Sequence, residues 1–423
     1  MKNRTGAKLA VLAACALLAL PVSARSEQLT LEECVARAVA THPDLVSALA
    51  DVESDTAKIS QEASGSRTQF GISGSYRRSG SSTSGYDSST GSWSTGINAS
   101  QLLYDFGKIK TAIKSARLTK DATQQTAQRT LETVVSDVKT AYYSLNKATR
   151  DVEVVKEQYD NYSKRLDWAK SYYSVGTKAK IEVTKAETDL ANSKLDLIKA
   201  YSAVRLAQAQ LASAMGDSAA VELEVADLLD FEKWEISLED ALSAAAENRP
   251  DLKAQDLQTE KAKEDIKSAK LNSAPSISAS AGYGSNGASA FDSDEWSASI
   301  SLEFQFGDGG YTKARIRQAE ADLKSQEAKR EKLAQDIILE VRTAWLELRE
   351  AEEAIVASRE TERQAKENLD LALGRYRAGV GDSLEVSDAV NEYAEARSSV
   401  ISCLYDHKAA KTDLLEAMGE VEL

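Results

Sequence analysis

Two periodicities divide this chain, and they alternate in a fixed order. Phe70, Ile72, Gly74 and Tyr76 interleave with Gly71, Ser73 and Ser75, and Trp93, Thr95, Ile97 and Ala99 interleave with Ser94, Gly96, Asn98 and Ser100. Further on, Ile277, Ala279, Ala281 and Tyr283 alternate with Ser278, Ser280 and Gly282. Trp296 to Phe306 then alternates apolar residues with Ser297, Ser299, Ser301, Glu303 and Gln305. A period of two places apolar and polar side chains on opposite faces of a strand. The pattern predicts strands at about 68–77, 92–105, 275–284 and 295–306.

The second texture has the helical period. No glycine or proline falls between Gly107 and Gly176, and the residues there are mostly good helix formers. Read as one helix, 108–173 has 66 residues and is about 100 Å long. The stretch 311–376 has the same length and holds only Gly374. Shorter helices are predicted at about 181–215 and 384–418. The apolar seam of the long helices is narrow: Val134, Val138, Ala141, Tyr142 and Leu145 in one, and Ile338, Val341, Ala344, Trp345 and Leu348 in the other. Such a seam cannot bury itself, so each long helix must lie against others in coiled-coil fashion.

The order repeats because the chain is duplicated. Leu31-Glu32-Glu33 leading to Pro43-Asp44-Leu45 returns as Leu238-Glu239-Asp240 leading to Pro250-Asp251-Leu252, 207 residues later. Phe106-Gly107 returns as Phe306-Gly307 with a shift of 200. Tyr173-Ser174-Val175-Gly176 returns as Tyr376-Arg377-Ala378-Gly379, and Ala214-Met215-Gly216 as Ala417-Met418-Gly419, both with a shift of 203. A period near 200 is too long for a solenoid and reads as two homologous halves, 25–220 and 221–423.

Residues 1–24 read as a secretory signal: Lys2, Arg4 and Lys8, an apolar run from Leu9 to Leu20, and the small residues Val22-Ser23-Ala24. The alternative is a lipoprotein box at Leu12-Ala13-Ala14-Cys15 that would acylate Cys15. Removing three positive charges takes the net charge from −14 to −17, which excludes nucleic acid as a partner. Cys34 and Cys403 remain, make no disulfide framework, and are expected as buried small hydrophobes. His42 and His407 are the only histidines; with no metal-ligand spacing, phosphate loop or nucleophile elbow, no enzyme and no cofactor is expected.

The polar face of the four strands is Ser, Gly, Asn, Gln and Glu, which suits a water-filled lumen with the apolar face toward lipid. Tyr76, Trp93, Tyr283 and Trp296 stand beside the loops at one membrane boundary, and Tyr104 and Phe306 at the other, as an aromatic girdle does. Four strands cannot close a barrel, so the chain must oligomerise: a dimer gives eight strands and a plugged tube, a trimer twelve and an aqueous channel. A soluble periplasmic coiled-coil adaptor or scaffold is the competing function, and fractionation with the outer membrane separates the two.

On the duplicated opening motif, the strand exit Gln101-Leu102-Leu103-Tyr104-Asp105-Phe106-Gly107 and the turns Tyr173 to Thr177 and Tyr376 to Gly379, the chain resembles the TolC-like outer-membrane factors of efflux pumps and type I secretion systems. The resemblance implies a mostly α protein with a membrane β-barrel. It would be a homotrimer whose twelve-stranded barrel, four strands per chain, continues into a long periplasmic α-barrel. It also implies an outer-membrane location, a periplasmic adaptor (membrane fusion) protein and an inner-membrane transporter as partners. The pore would narrow at the periplasmic end around acidic residues, which by position fall on Glu385 and Asp388, with Glu182 as the first-half counterpart. The turns Val175-Gly176-Thr177 and Ala378-Gly379-Val380 would receive the adaptor. A basic residue that latches the closed tip in the family falls on Gly381 here, which leaves Lys178, Lys180 or Arg377 to take its place.

Overall fold

The computed structural model describes residues 28–83, 86–217, 223–289 and 293–421; the expected signal segment and Cys15 lie outside them. The architecture is mostly helical with one four-stranded sheet, and the two halves match element for element. Helices α1 (Leu31–Thr41) and α5 (Leu238–Asn248) have 11 residues each, and α2 (Pro43–Ser64) and α6 (Pro250–Leu271) have 22. The long helices α3 (Lys108–Ser174) and α7 (Tyr311–Arg377) both have 67, and α4 (Lys180–Ala214) and α8 (Ser383–Met418) have 35 and 36. At 1.5 Å per residue each long helix runs about 100 Å.

Local chemistry explains the repeated motifs. Thr30 and Glu33 form a reciprocal capping box at the start of α1, and Ser237 caps α5 through the Asp240 amide. Pro43 and Pro250 occupy the first turn of α2 and α6, where a missing amide costs nothing. The Met-Gly that ends each half has a packing reason. A Cβ on Gly216 would stand 3.0 Å from His42 and Pro43, and one on Gly419 about 3 Å from the Arg249 backbone, so each glycine lets a helix end close onto the α1–α2 or α5–α6 corner.

One matched pair has to be corrected. The counterpart of Phe106-Gly107 is not Phe306-Gly307 but the turn that follows it. Asp105 accepts from the Gly107 and Ile109 amides, and Asp308 accepts from those of Gly310 and Thr312. Gly107 and Gly310 are both left-handed at the helix start (φ 95° and 92°). The repeated device is therefore Asp-x-Gly with a shift of 203, and Phe306-Gly307 lies outside it. The seam of α7 needs the same care: Ile337 is buried whereas Ile338 is 42% exposed. Ile337 lies four residues before Val341, as Val134 does before Val138.

Equivalent side chains build equivalent cores. Val134, Val138, Tyr142, Leu145, Leu211 and Met215 pack with α1 in the first half, and Ile337, Val341, Leu348, Leu414 and Met418 with α5 in the second. The Tyr142 hydroxyl donates to the carbonyls of Leu29 (3.1 Å) and Ala226 (2.9 Å), and Trp345 Nε1 donates to Ile236 at 3.0 Å. Leu29 and Ile236 are themselves repeat equivalents, so both aromatic residues pin the same crossing segment. Cys34 is buried as expected, but Cys403 is only half-buried.

The strands β1 (Gln69–Thr83), β2 (Tyr86–Tyr104), β3 (Ser276–Gly287) and β4 (Ser293–Glu303) form one antiparallel sheet in chain order. β1 and β2 run further into the hairpin than the alternation suggested, and β4 stops three residues short of Phe306. The helical layer has the same order. α3 packs against α2 and α4 and against α6 and α8, while α7 packs chiefly on α5, α6 and α8. The chain is a slab with two open flanks, one formed by β1, α2 and α4 and the other by β4 and α7.

Candidate functional site

The register settles which side chains share a face of the sheet. Phe70 pairs with Ala99, Ile72 with Ile97, Tyr76 with Trp93, Ile97 with Tyr283, Ala279 with Ile300 and Tyr283 with Trp296. Apolar residues from all four strands therefore lie on one face, and Ser, Gly and Asn on the other. That apolar face is bare: Phe70, Ile72, Trp296, Ile300 and Leu302 are among the most exposed large side chains described. A bulge between Leu102 and Tyr104 puts Tyr104 opposite Ile277; without it, Leu103 would hold the apolar side.

The girdle residues group in a particular way. Tyr76 and Trp93 touch, with ring centroids 4.8 Å apart, and Tyr283 faces Trp296 directly across β3 and β4. Along the strand direction the two rungs are offset, as tilted strands require if a girdle is to keep one depth. Trp93 pairs with Gly287, four residues beyond Tyr283, which is about 13 Å of strand. At the other end Tyr104 stacks edge-on against Phe106 at 4.7 Å, and Phe306, beyond the end of β4, is exposed and apart from them.

At the opposite pole the helices turn back. Gly176 and Gly379 are left-handed (φ 77° and 79°). The Gly176 and Thr177 amides bond the Tyr173 and Tyr172 carbonyls, and those of Gly379 and Val380 bond Tyr376 and Arg375. This is the same Schellman ending twice, and only glycine takes that conformation cheaply. Val175 and Val380 project from the turns at over 70% exposure; Thr177, Ala378 and both glycines are exposed too.

The turns are tied together by residues the periodicity did not single out. The Tyr172 hydroxyl donates to the Arg377 carbonyl at 3.0 Å, and Lys178 Nζ to the Gly381 carbonyl at 3.4 Å. Trp168, Tyr172 and Tyr376 cluster between the hairpins, with ring centroids about 6 Å apart. Arg377 lies over Trp168 rather than on a carboxylate, and among the described residues the Lys180 ammonium has no partner. Gly381 could not carry a basic side chain in this turn, since a Cβ would stand 2.7 Å from the Tyr376 nitrogen.

The acidic candidates separate into two kinds. Glu385 and Asp388 are both exposed, one turn apart in the first turns of α8. Arg375, at the end of α7, reaches Glu385 with Nε 3.3 Å from Oε1, whereas Asp388 has no such partner among the described residues. Glu182 stands apart. It is half-buried in the first turn of α4, with Oε2 covered and unpartnered among the described residues, and its charge, after burial itself, raises the pKa of the buried Tyr376 phenol.

Below the turns sits a charge that the helical pattern hid. Arg165 of α3 is fully buried, with Nη1 2.5 Å from Asp189 Oδ2 of α4 and Nη2 2.5 Å from Ser383 Oγ at the start of α8. It joins the α3–α4 hairpin to the α7–α8 hairpin. No local signal marks it, because Lys164-Arg165 looks like any solvated helix pair.

Comparison with known proteins adds the following. A family model described as outer membrane efflux protein matches residues 34–217 and again 241–420. The chain is 26% identical to outer membrane protein TolC of Escherichia coli (strain K12) over 144 residues, 34% of this chain and 29% of TolC, so that match spans under a third of the relative. It is 23% identical to the cation efflux system protein CusC of Escherichia coli O157:H7 over 347 residues, 79% of this chain and 74% of CusC. A crystal structure of CusC superposes with a TM-score of 0.80 at 21% identity, covering 92% of each chain.

Proposed function

Because the chain belongs to the outer membrane efflux protein family, we propose that it is the exit duct of a tripartite assembly, an efflux pump or a type I secretion system. It carries substrate outward from an inner-membrane transporter and a periplasmic adaptor. It is an outer-membrane protein and not an enzyme. The observation that carries the reading is the sheet: four strands with a bare apolar face, a polar face of small residues, and two unpaired edges. An open edge is untenable in hydrocarbon, where each unpaired amide costs several kcal/mol.

The two flanks suggest how it closes. Apolar side chains remain exposed on α7 (Leu339, Leu346, Val356) and on α2 and α4 (Val46, Leu49, Leu195, Ile198). The β4–α7 flank of one copy can therefore meet the β1–α2–α4 flank of the next, a head-to-tail contact that generates a ring. Three copies supply twelve strands, enough for an aqueous lumen. Efflux is favoured by the relatives' names, and CusC's structure is described in terms of transmembrane channel formation. The tips then receive the adaptor on Val175, Gly176, Thr177, Ala378, Gly379 and Val380.

We place the pore constriction at the start of α8. Three-fold symmetry brings three Glu385 and three Asp388 around it, and like charges about 5 Å apart repel by about 1 kcal/mol even in water. The ring draws cations and binds divalent ions. Glu182 stands behind it, against Tyr376. Planar-bilayer recording with the purified protein tests the duct: discrete conductance steps from a detergent-stable trimer are expected. A soluble monomer without conductance would refute it and favour a periplasmic scaffold.

A further inference from the structure

We propose that Arg78 is the centre of a binding site for the phosphate of an outer-leaflet lipid headgroup, on the outward face of the β1–β2 hairpin. The proposal rests on the reading that the bare apolar face of the sheet meets lipid. Arg78 follows Tyr76 by two residues, so it stands on the face that carries Phe70, Ile72 and Tyr76, about 7 Å beyond the Tyr76–Trp93 rung. Aromatic rungs sit at headgroup depth, which puts the guanidinium level with the phosphates or just past them. Arg77 faces the other way, toward the lumen.

The surroundings of Arg78 suit a phosphate better than a carboxylate of the chain. Its cross-strand partner is Gly91, where no side chain blocks the approach. The Tyr76 hydroxyl leans over that glycine, 2.8 Å from where a Cβ would stand. Arg78 Nη2 donates to Ser89 Oγ at 3.1 Å, which holds the guanidinium on this face. Among the described residues no carboxylate pairs with Arg78, and the acidic residue that the register puts on this face, Asp87 opposite Ser82, stands four residues, about 13 Å, farther along the hairpin. Guanidinium, tyrosine hydroxyl and serine hydroxyl thus form a donor set on one side of the strand pair, and a guanidinium fork matches two phosphate oxygens. Below it, Trp93, Ile72 and Ile97 offer an apolar track for an acyl chain. The second hairpin has the opposite chemistry. Two residues before Trp296, on the same face, stands Asp294. The site therefore belongs to the first half alone, one per chain, and it is a local positive point on an acidic protein, so contact rather than a long-range field must do the binding.

The test uses the full purified protein in nanodiscs and in neutral detergent. Binding of a phosphorylated glycolipid is followed by native mass spectrometry and by thermal shift, with the dephosphorylated glycolipid and inorganic phosphate as comparisons. The wild type should prefer the phosphorylated lipid, Arg78→Gln should weaken that preference about tenfold, and Arg78→Lys should fall between. Arg77→Gln, on the opposite face, should bind as the wild type does. Equal binding by Arg78→Gln, equal binding of the dephosphorylated lipid, or full competition by inorganic phosphate at the lipid concentration would each overturn the site. Quenching of Trp93 and Trp296 fluorescence by brominated lipid separates the two claims: no quenching sinks the lipid-facing reading itself, whereas quenching with an unchanged Arg78→Gln sinks only the site.

Discussion

Replacing Asp189 by asparagine should loosen the helical tip more than removing the arginine it serves. Arg165 is wholly buried, and the Asp189 carboxylate at 2.5 Å is its counter-charge. Asp189→Asn keeps the shape but leaves a cation out of water without compensation, a cost of about 3–5 kcal/mol. Arg165→Met fills similar volume with apolar atoms and leaves Asp189, whose side chain is 20% exposed and can regain water, so about 1–2 kcal/mol is expected. The double variant should be less destabilised than Asp189→Asn alone, because no charge remains unpaired. Native-state hydrogen exchange on the amides around Arg165 and at the start of α8 reads this directly. At 1.4 kcal/mol per tenfold, Asp189→Asn should exchange about 10²- to 4 × 10³-fold faster there, with Arg165→Met about tenfold faster. Unchanged protection in Asp189→Asn, or a larger loss in Arg165→Met, would refute the reasoning.

Three further outcomes follow from the same geometry. Gly379→Ala at φ 79° should cost about 1–2 kcal/mol and lower the melting temperature, whereas Gly374→Ala, in the last helical turn of α7 with open space around it, should not. Arg375→Gln should raise cation over anion permeability in planar bilayers by freeing Glu385, Asp388→Asn should lower it, and no change in reversal potential for either would remove the constriction from α8. Two groups should give opposite pH trends. His407 is buried with both ring nitrogens unpartnered among the described residues, and burial holds its pKa below the usual 6.5. Stability is therefore full above pH 6.5 and falls below it, and His407→Leu should flatten that acid arm. Asp413 is exposed at its outer edge, yet its pKa is pushed up to about 6 by partial desolvation between neighbouring helices and then by Glu416 and Glu347. Its penalty is present above pH 6 and fades toward pH 4, so Asp413→Asn should stabilise at pH 7 but not at pH 4, by under about 1 kcal/mol because water reaches the carboxylate. Melting curves across pH 4–8 check both.

The fold class was legible because its causes are local. Alternation wrote out the two faces of the sheet, the absence of helix breakers showed that the helices were long, and the Tyr-x-x-Gly turns needed glycine for a backbone reason. What escaped depends on partners far apart in sequence. Arg165 meets Asp189 and Ser383 only because α3 is covered on both sides, so a position off the apolar seam is buried anyway. Tyr172, rather than the more exposed Tyr173, crosses between the turns, and nothing in the order of two tyrosines says which will. Of Lys178, Lys180 and Arg377, the candidates for the missing latch, Lys178 reaches the Gly381 carbonyl of the other turn and Arg377 lies over an aromatic ring, while it is Arg375 that reaches a carboxylate. The mistaken Phe-Gly match shows that two identical letters weigh less than a shared capping geometry.

The equal span of the two long helices restricts how such a chain can drift in evolution. The opening motifs are offset by 207 residues and the helix caps by 203, while α2 and α6 have the same length, so the difference of four residues falls wholly in the strand hairpin. A single inserted residue within α3 would rotate everything past it by about 100° and shift it 1.5 Å, putting one turn out of step with its twin. The strand hairpins can grow or shrink freely, whereas the long helices can change length only in concert.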